Sequence, residues 1–414
     1  MSSVKRVYCS GCRQKESLKP VIEFGSIPLA GYFPSIEQIR DEQSYDCNLL
    51  FCDNCGLLQV DTIVDSNVLF RDYRYMSSIG LTKHFSDVAT YLDKRFSLKE
   101  ENKAVIEFGS NDGVLLKPFN DLGIKATGFE PSLNISQVAK DKGCEVIVDF
   151  FNYDNAVKYG LGGSARIVVA NNVFAHINDL TAVIEGIKYC LEEDGSFVAE
   201  VHYLLNLVEG NQYDFIYHEH MFYHSVFSLN NLFRLHGMTL YDFDLIDTHS
   251  GSIRIFARKN ISEMPEKIEQ QIAKERAAGI TSSEEFVAFD KQIKQHVASC
   301  QQAIRKLRAE GRSIIGFGAS GRCNIFCNLL GLGTADVKYI FDQSPERVNR
   351  FIPACNIPVI KFTEEAAAEQ YDVVLVFAWN YYNMISSKIN ANDYLVLFPQ
   401  PRILKKEQQL NNVL

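Results

Sequence analysis

One stretch of ten residues constrains the fold most: AVIEFGSNDG, from Ala104 to Gly113. Apolar residues lead into Glu107, and Gly109 and Gly113 follow before a second apolar run. The pattern predicts a buried parallel strand, a glycine-rich loop and the start of a helix. Glycine lets a backbone approach a ligand closely, where a Cβ would collide. The loop therefore predicts either a ligand site or a plain tight turn of an α/β protein.

The chain that follows predicts alternating strands and helices, with polar side chains where the strands end. The carboxyl edge of an open α/β sheet is where such folds bind ligands, and Asn171 follows a predicted strand there. Glu130 can accept hydrogen bonds from two ribose hydroxyls, because a carboxylate offers several lone pairs. Asp149 can bind an adenine amino group, and Phe150 can stack on the base.

The spacing E-x-G-x-x-x-G differs from the dinucleotide fingerprint G-x-G-x-x-G. It resembles the first motif of class I S-adenosylmethionine (SAM) methyltransferases. The succession of strands is similar to their seven-stranded sheet, with a closing antiparallel pair at Met238–Phe243 and Ser252–Ala257. The resemblance implies a SAM site that contains Glu107, Gly109, Gly113, Glu130, Asp149, Phe150 and Asn171.

Composition and charge exclude several classes of protein. A chain of 414 residues predicts two to four domains at about 100–200 residues each. The net charge of −9 argues against a broad nucleic-acid surface. The sequence has neither a long apolar run that could span a membrane nor an apolar signal-peptide core. We therefore expect a cytoplasmic protein that binds neither nucleic acid nor membrane.

Two C-x-x-C pairs near the N-terminus predict a metal site. Cys9 and Cys12 form the first pair, and Cys52 and Cys55 form the second. Four thiolates make a closed tetrahedral zinc site of the structural type. The long segment between the pairs has to form strands or a loop of its own. A redox pair or unrelated buried cysteines are the alternatives.

The segment YHEH, from Tyr217 to His220, predicts proton-transfer chemistry. We expect His220 to be the general base, because histidine exchanges a proton near neutral pH, with Glu219 holding its imidazole in one tautomer and Tyr217 as a proton donor beside it. His176, just after a predicted strand, points to the same sheet edge. A metal site is disfavoured because H-E-H lacks the spacing of H-E-x-x-H. A satisfied polar turn, or Tyr217 as the base with His220 as its activator, remains open.

These motifs together resemble the sugar C-methyltransferases of deoxysugar biosynthesis, over nearly the whole chain. YHEH is the most specific part, beside NNVFAHI, YRYMSS and the paired cysteines. The resemblance implies that a nucleotide-linked 4-ketohexose is methylated at carbon 3. It further implies catalytic Tyr217, Glu219 and His220, with His176 and a tyrosine of the Tyr73/Tyr75 pair at the sugar. A linker packed by its aromatic rings is the alternative for the tyrosine segment.

A second glycine-rich loop, GFGASGRCN, opens a C-terminal strand–loop–helix unit. Gly316, Gly318 and Gly321 match G-x-G-x-x-G, which also raises the possibility of an NAD-binding oxidoreductase. We expect the loop to bind the pyrophosphate of the sugar nucleotide, since a helix N-terminus holds phosphate. A purely structural loop is the alternative. The candidate substrate residues are Ser320, Arg322 and Asn324.

The sequence thus predicts an α/β protein with a class I methyltransferase, Rossmann-like central domain. The predicted domains are a zinc module (1–70), a methyltransferase domain (71–260), a helical connector (261–307) and a Rossmann-like domain (308–414). The predicted function is SAM-dependent methylation at carbon 3 of a nucleotide-diphosphate-linked 4-keto deoxysugar through an enolate, with structural zinc. O- or N-methylation of a sugar nucleotide and NAD-dependent oxidoreduction are the alternatives. We expect a monomer or homodimer.

Overall fold

A computed structural model of the chain describes residues 3–65, 68–69, 78–248, 251–261 and 263–406. Its central sheet has seven strands in the order β12-β13-β10-β9-β6-β7-β8. Strands β6 to β10 run parallel, β13 pairs antiparallel with β10, and β12 pairs antiparallel with β13. This confirms the predicted class I methyltransferase sheet. The strands are Val105–Phe108 (β6), Ala126–Phe129 (β7), Glu145–Ile147 (β8), Ala165–Asn171 (β9), Leu191–His202 (β10), Met238–Ile246 (β12) and Ser252–Lys259 (β13).

Helices connect the parallel strands, as parallel pairing requires. Helix α5 illustrates why they form: Leu180, Val183, Ile184 and Ile187 are buried at helical spacing, and Asp179 caps the start by accepting from the Ala182 N–H. The helices are α1 (Ser78–Phe96), α2 (Leu116–Asp121), α3 (Leu133–Asp141), α4 (Tyr153–Lys158), α5 (Leu180–Cys190), α6 (Leu204–Glu209) and α7 (Val226–Leu235).

The N-terminal module forms its own small sheets, as the long spacing between the cysteine pairs required. A four-stranded sheet has the order β11-β4-β3-β2, and β1 pairs with β5. Strand β11 comes from the chain just after YHEH, so the module's sheet includes residues from the predicted methyltransferase domain. The strands are Ser3–Lys5 (β1), Leu18–Pro28 (β2), Ser44–Cys52 (β3), Leu58–Val60 (β4), Thr62–Val64 (β5) and Phe222–Tyr223 (β11).

The four predicted zinc ligands meet at one point of this module. Sγ atoms lie 3.5 Å apart in the pair Cys9 and Cys55 and in the pair Cys12 and Cys52. All four sulfur atoms lie within 4.8 Å of one another. Tetrahedral zinc with Zn–S bonds of about 2.3 Å needs sulfurs at roughly this separation. The amide of Gln59 also donates to the sulfur of Cys9 over 3.2 Å.

The predicted connector consists of helices α8 (Glu266–Ala277) and α9 (Phe286–Ala309). The runs VVLVFAW and YLVLFP beyond it predict a small parallel sheet, but the sheet found there is larger and mixed. It has seven strands in the order β16-β17-β15-β14-β18-β19-β20, and both edge strands are antiparallel. The strands are Ile314–Phe317 (β14), Ile340–Asp342 (β15), Arg350–Ile352 (β16), Ile357–Lys361 (β17), Gln370–Val376 (β18), Asn390–Val396 (β19) and Arg402–Leu404 (β20); the helices are Gly321–Leu330 (α10), Glu364–Ala368 (α11) and Tyr382–Lys388 (α12).

The zinc module shares cores with both other parts of the chain. Ile22 and Leu49 lie in one apolar cluster with the C-terminal sheet, and Phe51 packs on Phe286 of α9 at 5.1 Å between ring centroids. Leu57 lies in the core of the methyltransferase sheet. The module is therefore wedged between the two larger domains. In the described part of the chain, no helix combines the length and the hydrophobicity needed to cross a membrane.

The cysteine geometry predicts one zinc ion per chain. Native mass spectrometry should find it in the wild-type protein. The double variant Cys52→Ser/Cys55→Ser should lose the ion and melt at a lower temperature, because metal binding is coupled to folding of such a site. Cys47→Ser is the matched control, since Cys47 is equally buried but lies outside the cluster. A metal-free native wild-type chain would refute the assignment.

Candidate functional site

Strand β6 ends in a loop that two glycines allow to pack tightly. Gly109 has a φ of +65°, and a Cβ there would lie 2.5 Å from a methyl group of Val173. A Cβ on Gly113 would lie 2.9 Å from the sulfur of Cys144. Both glycines thus let side chains of this protein pack against the loop, in addition to shaping it. Gly128, which the sequence analysis missed, serves the same loop, because its Cβ would lie 2.5 Å from the Ser110 hydroxyl.

Buried polar groups without protein partners surround this loop. Glu107 is 3% exposed, its Oε2 has no hydrogen-bond partner among the described residues, and both side-chain polar atoms of Asn171 lack one too. Burial raises the pKa of Glu107 well above its usual value, and the nearby Glu130 and Asp112 add to the shift. Buried polar groups are costly unless they find partners. The unpartnered polar groups of Glu107 and Asn171 therefore fit a polar ligand such as SAM at this edge.

Glu130 lies at the end of β7, as predicted for a ribose ligand. Its carboxylate oxygens accept from the backbone N–H groups of Asn111 and Ser132, over 3.0 and 2.9 Å. Burial raises the pKa of Glu130 even though these hydrogen bonds oppose the shift. Each oxygen keeps a further lone pair for a hydroxyl donor.

Asp149 and Phe150 lie shortly after β8, and their adenine contacts stay a prediction. Asp149 accepts from the ammonium of Lys158 over 3.0 Å and from the backbone N–H of Phe150 over 2.9 Å. Phe150 is 41% exposed, whereas Phe151 is buried and stacks on Phe108 at 4.7 Å. Of these two phenylalanines, Phe150 is the one with an accessible ring.

A buried carboxylate that the sequence analysis missed lies beside Asn171. Glu200 on β10 is fully buried and accepts from His84 Nε2, the Thr248 hydroxyl and Arg254 Nη2, each over 3.0 Å. Burial raises its pKa, but the partners His84 and Arg254 lower it more, so the net shift is downward. This network fixes helix α1 to the sheet. The one signal in the sequence was an acid inside the apolar run FVAEVH.

The YHEH segment brings Tyr217 and His220 into direct contact. The hydroxyl of Tyr217 lies 2.9 Å from His220 Nε2, and the ring centroids are 4.0 Å apart. His220 Nδ1 lies 2.8 Å from the carbonyl oxygen of Phe215. Because a carbonyl only accepts, Nδ1 carries the proton, and Nε2 of the neutral ring accepts from Tyr217. Phe215, rather than Glu219, therefore holds the imidazole.

His176 and Glu219 complete the cluster. His176 Nδ1 contacts the backbone carbonyl of Glu219 over 2.5 Å, and its ring lies 5.0 Å from that of His220. Burial lowers the pKa of His176, so the ring is neutral near pH 7. The Glu219 carboxylate accepts from the backbone N–H of Gly31 over 2.9 Å, and its other oxygen is buried without a partner in the described chain. Tyr73 and Tyr75 lie outside the described residues.

The C-terminal loop uses its predicted substrate residues for contacts within the chain. The Ser320 hydroxyl accepts from the Cys323 N–H at the start of α10. Asn324 is fully buried, and its amide donates to the carbonyl of Leu29 over 2.8 Å. The guanidinium of Arg322 is paired with Asp214. Pyrophosphate binding by this loop stays a prediction, and these contacts give it no support.

Comparison with known proteins agrees with this architecture. Residues 9–70 match a family model described as "Putative zinc binding domain", residues 68–242 match "Methyltransferase domain", and residues 247–394 match "C-methyltransferase C-terminal domain".

Similar individual proteins were also found. The chain is 31% identical to "C-methyltransferase NovU" of Streptomyces niveus over 97% of this chain and 98% of that protein. Among solved structures, magnesium protoporphyrin IX methyltransferase from Synechocystis PCC 6803 is 13% identical, with a TM-score of 0.33 over 44% of this chain and 81% of that one. A Pyrococcus horikoshii OT3 protein is 14% identical, with a TM-score of 0.37 over 47% and 98% of the two chains. The chain belongs to the C-methyltransferase family, as its motifs predicted, and is a SAM-dependent methyltransferase with an N-terminal zinc-binding domain.

Proposed function

We propose that this enzyme methylates carbon 3 of a nucleotide-diphosphate-linked 4-keto deoxysugar through an enolate. The observation that carries the proposal is the hydrogen-bonded pair Tyr217 and His220, next to His176 at the carboxyl edge of the methyltransferase sheet. Transfer of a methyl group to carbon needs a carbon nucleophile, and so a base that removes a proton from carbon. A ketone beside that carbon makes its hydrogen acidic and accepts the electron pair.

The contacts support the following path for this proton. Nε2 of His220 accepts from Tyr217, so the Tyr217 oxygen can take the carbon 3 proton while its own proton passes to His220. The C–H electron pair becomes the enolate, and His220 becomes an imidazolium that the Phe215 carbonyl stabilises. Tyr217 and His220 then act as one base, in which the histidine activates the tyrosine.

The remaining residues of the cluster shape the sugar pocket. The buried, unpartnered oxygen of Glu219 is an acceptor for a sugar hydroxyl, because an ionised carboxylate can only accept hydrogen bonds. Burial lowers the pKa of His176, so its neutral ring adds no positive charge that would oppose formation of the His220 imidazolium. Tyr73 and Tyr75 stay candidates for contact with the sugar, as the family resemblance implies.

SAM supplies the methyl group as an electrophile, and the enolate carbon takes it while the donor sulfur keeps the electron pair of the broken bond. We assign its binding to the polar groups at the carboxyl edge. Glu107 and Asn171 supply buried polar atoms without partners among the described residues, and Glu130 supplies acceptors for the ribose hydroxyls. Asp149 and Phe150 line the position of the adenine ring. Gly109 and Gly113 shape the loop beneath.

Proton abstraction predicts a specific loss of activity. His220→Asn should lower turnover by roughly 10²–10⁴-fold, the usual range for general base catalysis. Tyr217→Phe should lose a comparable factor, because the two residues act as a pair. With an unreactive SAM analogue in heavy water, the wild-type enzyme should exchange deuterium into carbon 3, and both variants should not.

The matched control is His236→Asn, a half-buried histidine paired with Glu185 and outside the cluster. It should keep normal exchange and turnover. Near-full turnover in both His220→Asn and Tyr217→Phe would overturn the proposal, as would methylation at oxygen without exchange at carbon 3. Loss in Tyr217→Phe alone would make His220 dispensable.

The cofactor site predicts weaker SAM binding in Glu130→Ala. The loss should be about 1–3 kcal/mol in calorimetric titration, the worth of hydrogen bonds to a charged group. Glu101→Ala removes an exposed acid from the same domain and should leave the affinity unchanged. Unchanged affinity in Glu130→Ala would remove this residue from the site.

A further inference from the structure

The C-terminal sheet has a crevice at its topological switch point, between β14 and β18. Strand β14 pairs with β15 on one side and with β18 on the other, so the strand order reverses direction at β14. Open α/β sheets bind their ligands at such a point. Here the crevice is lined by Arg322 and Trp379, and the turn Tyr213–Phe215 of the methyltransferase domain reaches into it. The chain itself provides the occupant.

Asp214 of this turn is the anion of the crevice. It is 2% exposed, and its Oδ2 accepts from Arg322 Nε over 2.7 Å and from the indole N–H of Trp379 over 3.2 Å. Arg322 Nη2 lies 2.6 Å from the same oxygen. Arg322 is the second residue of helix α10, where a glycine-rich loop commonly holds a phosphate. The guanidinium that the sequence analysis predicted to bind a phosphate is therefore paired with the chain's own Asp214 carboxylate.

The residues on either side of Asp214 are held as firmly. The Tyr213 hydroxyl lies 2.8 Å from His296 Nδ1 of helix α9, and its ring packs on Phe326 of α10 at 5.8 Å. The Phe215 ring lies 4.0 Å from the Arg322 guanidinium and stacks on His202 at 4.3 Å. Helix α9, the C-terminal domain and strand β10 thus hold the whole turn together.

The turn leads directly to the proton-transfer pair. The carbonyl of Phe215 accepts from His220 Nδ1, and this bond keeps the Nε2 lone pair available to the Tyr217 hydroxyl. In a histidine, the hydrogen bond at one nitrogen decides which nitrogen carries the proton. A displaced Phe215 carbonyl would let the proton move to Nε2, which could then no longer accept from Tyr217.

We propose that Arg322 and Trp379 are positioning residues, which hold Asp214 so that the Phe215 carbonyl fixes the reactive tautomer of His220. The inference rests on the proposed role of Tyr217 and His220 in proton transfer. It gives the C-terminal domain a part in catalysis without contact to the reacting atoms.

The test compares Arg322→Gln, Arg322→Lys and Trp379→Phe with the wild-type chain. Trp379→Phe keeps an aromatic ring but removes the N–H donor to Asp214. It keeps the inference testable even if the arginine variants fail to fold. Arg312→Gln is the matched control, because Arg312 forms ion pairs with Asp372 and Asp393 of the same domain, away from the turn. It should leave turnover unchanged.

Arg322→Gln should lower kcat by about 10–100-fold, the scale of a catalytic group misplaced by a change far from the chemistry. KM for the sugar nucleotide and the affinity for SAM should stay within about twofold, because neither ligand touches Arg322 in this proposal. Arg322→Lys should recover part of the loss, since an ammonium can still pair with Asp214. Trp379→Phe should show a smaller loss of kcat.

Nitrogen-15 NMR of labelled histidines reads the tautomer without any substrate. The wild-type His220 signal, identified by its absence in His220→Asn, should show a protonated Nδ1 and an unprotonated Nε2. Arg322→Gln should shift this signal toward the other tautomer or a mixture, and Arg312→Gln should not. This readout remains valid even if the enzyme methylates a different substrate, so it separates failure of the inference from failure of the proposed function.

Two results would overturn the inference. One is an unchanged His220 signal together with unchanged kcat in both Arg322→Gln and Trp379→Phe. The other is weakened binding of the nucleoside diphosphate in Arg322→Gln with kcat intact, which would make Arg322 a substrate ligand instead.

Discussion

Residues 213–224 have to satisfy contacts with all three parts of the chain at once. The turn Tyr213–Phe215 lies in the crevice of the C-terminal domain, and His220 and its neighbours meet His176 at the edge of the methyltransferase sheet. Strand Phe222–Tyr223 then pairs with β4 of the zinc module. A shift of any one domain would move the proton-transfer pair, because fewer than ten residues separate these anchors. The relative placement of the domains is therefore part of the geometry of the proposed proton-transfer pair.

The zinc module acts on this segment through backbone pairing. The Val60 N–H donates to the carbonyl of Met221, which follows His220 directly. The guanidinium of Arg6 also lies 5.2 Å from the ring of Phe222. A closed four-thiolate site has no open position for chemistry, so its contribution is to fold the sheet that β11 joins. A metal ion held by the four cysteines would thus support the proposed active site by fixing where the YHEH segment ends.

The methyltransferase domain carries its polar groups at a cost to stability. Glu107, Asn171 and Glu200 are buried at one edge of the sheet, and burial of an unpaired polar group costs about 1–3 kcal/mol by protein mutational data. Glu200 offsets this cost through three partners, whereas Glu107 and Asn171 keep polar atoms without partners among the described residues. Perturbed and unsatisfied groups of this kind cluster at functional sites. Their placement at the carboxyl edge is what a cofactor site requires.

The sequence by itself determined the local elements and the fold class. The spacing around Gly109 predicts the strand and loop of the SAM site, and the paired cysteines predict the metal cluster, because both signals depend on residues close along the chain. It could not assign Arg322, since its partner Asp214 is distant in the sequence and no local pattern marks such a pair. The tertiary structure alone decided that the second glycine-rich loop holds an internal carboxylate and that the Phe215 carbonyl, not Glu219, sets the tautomer of His220. Hydrogen bonds and ion pairs form between groups that folding brings within about 3 Å, and a sequence does not record that distance.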